Sequence, residues 1–145
     1  HLATNKDMRD ERLKTLRIPL MLTDISSAYK AAALLVDAAK LRAESDSETR
    51  NSVESEKLKQ AWGATGSKLA SGGSKAIKEL EKEQKGRGTR LVRDYLDRAL
   101  LDLATFYRDV MLVQSGANDF LINTDLQSEI RMLSAQTIAA TKPPL

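Results

Sequence analysis

Apolar residues recur at three- and four-residue steps in two stretches of the chain, one toward each end, and thin out between them. That period is the signature of helices with one buried face. Thr4 or Asn5 can cap a first helix that runs to about Arg17, turns Leu13 and Leu16 inward and is stopped by Pro19. Thr23 or Asp24 opens a second helix. Its positions Ile25, Ala28, Ala32, Leu35, Val36 and Ala39 form one apolar stripe, with alanines small enough to let a neighbouring helix come close. A second, broader stripe of Leu91, Val92, Tyr95, Leu96, Ala99, Leu100, Leu103, Tyr107, Val110, Met111 and Val113 marks a long helix that Ser115-Gly116 ends. Thr124 starts a last helix that points Leu126, Ile130, Leu133 and Ile138 inward. The preceding Phe120–Asn123 is expected to tuck beneath the bundle as loop, and the final KPPL to fray.

Between the stripes the polarity changes the picture. ESDSETRNS, residues 44 to 52, offers only charge and hydroxyls, and the apolar face resumes weakly at Val53, Leu58 and Trp62. SKAIKELEKEQKGRGTR keeps helical composition but holds only Ile77 and Leu80 as large apolar residues, with Gly86 and Gly88 as weak points. Counted from Lys68, the polar boundary lies 25 residues back at Ala43 and 23 forward at Leu91. Such symmetry predicts an antiparallel hairpin with its base in the bundle and its tip, roughly residues 44 to 90, in solvent. An arm of twenty residues would reach about 30 Å. A disordered linker is the alternative that the glycines leave open. The expected fold is therefore all-α: a single helical domain over residues 1 to 145, a bundle with a long protruding hairpin arm and its tip turn at 63 to 73.

The tip, GATGSKLASGGSK, has the composition of a phosphate-binding loop but the wrong order. A P-loop needs Gly-Lys-Ser/Thr after a buried strand, whereas lysine here follows serine in Gly66-Ser67-Lys68 and Gly73-Ser74-Lys75, and a helical segment precedes. It reads as a turn, with Gly63 ending one helix and Ser74 capping the next.

Composition narrows the chemistry. The 145 residues contain no cysteine and one histidine, His1, so thiolate and imidazole metal sites and the usual nucleophile pairs are excluded. No metal, cofactor or small-molecule substrate is expected, and no catalytic residue is assigned. The net charge of +3, from 23 basic and 20 acidic residues, is mixed along the chain and does not by itself mark a nucleic-acid binder. No apolar run reaches the length of a membrane span. An opening histidine and the absence of a leader-like start read as a piece of a longer, cytoplasmic protein.

RALLDLATFYRDVMLVQSGANDFLINTDLQSEIRML, residues 98 to 133, resembles the carboxy-terminal domain of bacterial DNA polymerase III clamp-loader subunits, the actinobacterial delta-prime type in particular. Its elements are Tyr107-Arg108-Asp109-Val110 on the long helix, the Val113-Gln114-Ser115-Gly116 exit and Leu121-Ile122-Asn123 before the final helix. His1-Leu2-Ala3-Thr4 is similar to the end of the helical subdomain of the family's ATPase module, and residues 28 to 44 to the helix that follows. The likeness covers both ends of the chain and leaves the middle, 45 to 75, uncovered. It implies a helical collar domain that joins other clamp-loader subunits in a ring, with DNA contacted indirectly through the complex. Any nucleotide site would then lie in upstream ATPase domains, and this part would not be an enzyme. The polar arm is longer than a collar domain requires.

Two functions follow from these observations. As an oligomerisation domain, the chain would use Phe106, Leu112 and Met132, large residues off the main stripe, with Tyr107, Arg108, Asp109 and Gln114 as polar contacts around them. Taken as ordinary structure, Tyr107 is a core position, and Arg108 with Asp109 is a solvated pair. As a nucleic-acid or acidic-partner module, it would use Lys82, Lys85, Arg87, Arg90 and Arg93 on the arm. Those five are expected to spread around the helix, and no aromatic is interleaved to stack on bases.

Overall fold

The computed structural model describes residues 2–62 and 72–141, with side chains at 6, 8–62 and 72–137. Every described element is helical: α1 (Leu2–Arg17), α2 (Ile25–Ala61), α3 (Gly73–Gln114) and α4 (Gln127–Thr141), with 3-10 turns at Ile18–Met21, Asn118–Phe120 and Thr124–Leu126. The fold is an all-α helical bundle. Most of the tip turn, the Gly63 and Lys68 positions, the side chain of Ile138, His1 and the terminal KPPL lie outside the described residues.

Local chemistry accounts for most helix ends. α1 begins at Leu2, ahead of the Thr4 or Asn5 cap, and stops at Arg17 because Pro19 enters the following 3-10 turn. Asp24 opens α2 reciprocally: its carboxylate accepts the Ser27 N–H at 2.7 Å, and its own N–H donates to Ser27 Oγ at 3.0 Å. At the far end of α3, Gly116 takes φ +83°. Its N–H reaches the Val113 carbonyl at 3.1 Å while Ala117 N–H reaches Leu112 at 2.9 Å, the paired bonds that close a helix around a left-handed glycine. α3 starts at Gly73, so Ser74 sits inside the first turn instead of capping it. The Gly72 carbonyl accepts Lys75 and Ala76 N–H, each at 3.1 Å.

Neither polar stretch breaks its helix. Through residues 44 to 59, α2 is laced by Arg42–Asp46 (3.2 Å), Arg50–Glu54 (2.9 Å) and Lys59–Glu56 (3.1 Å), the spacing at which helical side chains meet. α3 runs straight through Gly86 and Gly88, where an added Cβ would meet nothing within 4 Å.

The chain divides into two compact units, residues 1–33 with 97–145 and residues 34–96, so α2 and α3 each contribute to both. In the first unit the core is Leu16, Phe106, Val110, Leu126 and Ile130, with Leu13, Leu20, Val113 and Leu133 packed against it. α1, α3, α4 and the turn before α4 supply it. The first turns of α2 add nothing: Ile25 is 78% exposed, and Ala28 and Ala32 are exposed as well. The apolar face expected to be buried there is left uncovered by the described residues. In the second unit Ala39 and Ala43 are the buried apolar residues, so the small-residue contact of α2 belongs to this unit. The 34 and 96 boundaries differ from the 44 and 90 that polarity suggests. Packing continues between α2 and α3 past the point where large apolar residues run out.

Candidate interaction surfaces

The first unit is organised around a buried carboxylate. Asp109 is fully buried on α3, and its Oδ2 accepts the backbone N–H of Asn123 at 2.7 Å, that of Ile122 at 3.0 Å and Asn123 Nδ2 at 2.9 Å. Arg108 Nη1 donates to Oδ1 at 3.0 Å and to the Phe120 carbonyl at 3.2 Å. Asn123, equally buried, turns its Oδ1 to Arg12 Nη2, and Arg12 Nε reaches Asp102 at 3.2 Å. A charged side chain is tolerated in a core when its lone pairs are satisfied, and here no buried side-chain polar atom among the described residues lacks a partner. The network clamps the loop between α3 and α4 onto α3 and ties α1 to both.

This geometry corrects several expectations. Asp109 is no solvated surface residue, and with Arg108 it serves the fold. Phe106, expected off the stripe as a partner contact, is at the centre of the core, whereas Tyr107, expected in the core, is 43% exposed. The buried seam runs through Leu103, Phe106, Val110 and Val113; a broad apolar face allows two centres about 100° apart, and sequence alone favoured the wrong one. Gln114 Nε2 donates to Thr137 Oγ1 at 2.7 Å and so joins α3 to α4. In the 120–123 segment only Asn123 is fully buried, with Phe120 69% and Ile122 55% exposed, so that loop is held by polar bonds more than by its apolar residues. Of the seven candidate interface residues, Tyr107, Arg108, Gln114 and Met132 are exposed, Leu112 is half-buried, and Phe106 and Asp109 are buried.

Beside the seam, α3 presents Leu100, Ala104, Tyr107 and Met111 at steps of 4, 3 and 4 residues, all exposed. This is a second apolar stripe on the same helix, and partial shielding of the Tyr107 phenol from water raises its pKa from the ordinary 10.0. α2 carries a shorter one, Ile25, Tyr29 and Ala32, also exposed. Sequence reasoning found most of these residues but assigned them to the core.

In the second unit, polar side chains join α2 to α3. Tyr95 Oη bonds Asp46, Gln84 Nε2 reaches the Asn51 carbonyl at 3.1 Å, and Arg87 bonds Glu54. Arg87 first and Arg50 second hold the Glu54 carboxyl at about 2, well below its ordinary 4.5. Burial first, then the Asp46 bond, raises Tyr95. Trp62 packs against Gly72, which has φ +93° and whose Cβ, if present, would stand 3.3 Å from the indole. A cleft of about 680 Å³ lies between the helices, lined in part by Lys40, Ser47, Thr89 and Arg93.

The five basic candidates separate here. Arg87 is spent on Glu54 and Asn51, and Arg90 Nε turns back to the Gly86 carbonyl at 3.4 Å. Lys82, Lys85 and Arg93 are exposed and share one side of α3, whereas Arg87 and Arg90 lie off it, so the five spread around the helix as expected and three of them form a narrower row. Among the described residues no three His, Cys, Asp or Glu side chains gather as a metal site, and no helix is long and apolar enough to cross a membrane. Compared with known proteins, the chain matches no protein-family model, no curated protein and no solved structure.

Proposed function

We propose that this chain is a non-catalytic assembly domain that buries its exposed helix faces against other subunits. The observation that carries the reading is the imbalance of its apolar residues. Among the described residues, seven hydrophobic side chains are buried and sixteen large ones are exposed. Four of the latter, Leu100, Leu101, Tyr107 and Met111, are concentrated within three turns of α3.

The resemblance over residues 98 to 133 gives the assembly a specific form: the collar of a bacterial clamp loader, in which helical domains of unlike subunits form a ring while the complex loads the sliding clamp onto DNA in the cytoplasm. In that form Tyr107, Met132 and Leu112 remain interface candidates and Phe106 does not. Mixing the chain with purified clamp-loader subunits and measuring mass by light scattering tests this. A stoichiometric complex lost on Leu100→Ser with Met111→Ser supports the reading. No complex with any of those subunits removes the collar assignment. A self-complex lost in the same variant would keep assembly and change the partner.

A further inference from the structure

Continuity of α3 gives its lysines a register. Lys75, Lys78, Lys82, Lys85 and Arg93 follow one another at steps of 3, 4, 3 and 8 residues. At about 100° per residue, all five fall within a sector of about 80°. Each is exposed, and none makes a side-chain hydrogen bond or ion pair among the described residues. The other arginines of the unit are engaged: Arg42 with Asp46, Arg50 and Arg87 with Glu54, Arg90 with the Gly86 carbonyl. Glu79 and Glu81 flank the row without bridging to it. The row is thus an uncompensated cationic surface among the described residues of this unit, and its end adjoins the cleft that Lys40 also lines.

Its dimensions and composition select a ligand class. Eighteen residues of helix span about 27 Å, the rise of about eight base pairs of duplex. The only other residue in the sector between Lys75 and Arg93 is Thr89. A protein partner would find no apolar or aromatic anchor to bury there. Single strands would find no ring on which to stack bases. A duplex backbone requires only cations at regular spacing. We propose that this face of α3 binds the phosphate backbone of duplex nucleic acid without regard to sequence. The proposal is independent of the assembly reading and is tested on the chain alone.

The measurement is fluorescence anisotropy of two labelled 24-base-pair DNA duplexes of unrelated sequence, titrated with the 145-residue chain from about 25 to 200 mM KCl. Five neutralised phosphates give a slope of log K against log[salt] near −4.5, roughly −0.9 for each contact. Lys78→Gln/Lys82→Gln/Lys85→Gln should reduce that slope by about 2.7 and weaken both duplexes alike. An equally charged control, Lys30→Gln/Lys57→Gln/Lys59→Gln, should leave the slope near that of the parent, and circular dichroism checks that both variants are helical. No binding at the lowest salt overturns the proposal, as does a control that loses as much slope as the row variant. Tighter binding of labelled polyglutamate than of the duplexes overturns the nucleic-acid assignment and points to an acidic protein.

Discussion

Replacing Asp109 with asparagine changes one atom at the centre of the first unit. The carboxylate accepts from four groups: two backbone N–H donors, the Asn123 amide and the Arg108 guanidinium. An amide of the same shape has one oxygen, and whichever way it turns its NH2 faces at least one of those donors. Hydrogen bonds to a charged group contribute about 1.5–3 kcal/mol each, and removing one member of a buried charged network costs about 3–5 kcal/mol. We therefore expect Asp109→Asn to destabilise the fold by about 3–5 kcal/mol, a large share of the 5–15 kcal/mol typical of a domain. Urea unfolding followed by circular dichroism at neutral pH gives the loss. Amide exchange at Ile122 and Asn123 localises it, because their N–H groups lose their acceptor. Asp37→Asn is the control: its carboxylate is 68% exposed and 3.9 Å from Lys40, so its loss should cost less than about 0.5 kcal/mol. A cost below about 1 kcal/mol for Asp109→Asn, or unchanged exchange at both amides, would refute the view that this carboxylate holds the loop.

Other consequences can be checked by similar means. Phe106→Ala should cost about 3–5 kcal/mol in urea unfolding, and Tyr107→Ser less than about 1 kcal/mol, reversing the order that the broad stripe suggests. Because Glu54 is held at about 2 against an ordinary 4.5, its contribution is present above pH 4.5 and is lost as pH falls toward 2. Trp62 fluorescence melts across that window should show the second unit weakening, and Glu54→Gln should flatten the dependence. Gly86→Ala, at a helical position with open space around it, should raise the thermal midpoint by the equivalent of about 0.5–1 kcal/mol, and a lowered midpoint would contradict the continuous helix.

Much of the fold is written locally, and the parts that were misplaced depend on contacts far apart in sequence. Pro19, the Asp24–Ser27 pair and Gly116 act through neighbouring backbone, so the ends of α1, α2 and α3 were legible. Polarity at residues 44 to 52 correctly marked where large apolar residues stop, but said little about packing, because Ala39 and Ala43 can hold a neighbour at close range without bulk. The side of α3 that faces inward was not legible. Leu100, Tyr107 and Met111 have the same spacing and chemistry as core residues, and period alone cannot separate burial inside the chain from burial against another. Asp109 was hidden for the opposite reason, since a carboxylate next to arginine reads as surface until the loop fourteen residues later is seen to need its oxygens. The lysine row is obscured in the sequence because Arg87 and Arg90 fall among its members while pointing off its sector, and Lys75 and Lys78 join it only once α3 is seen to be continuous from Gly73.

Hydrogen–deuterium exchange of the chain, alone and mixed with clamp-loader subunits, tests assembly through α3 most directly. Assembly through this helix should slow exchange in peptides covering Leu100 to Met111 and leave residues 75 to 93 unchanged. A complex that leaves 100 to 111 exchanging at the rate of the free chain would contradict it.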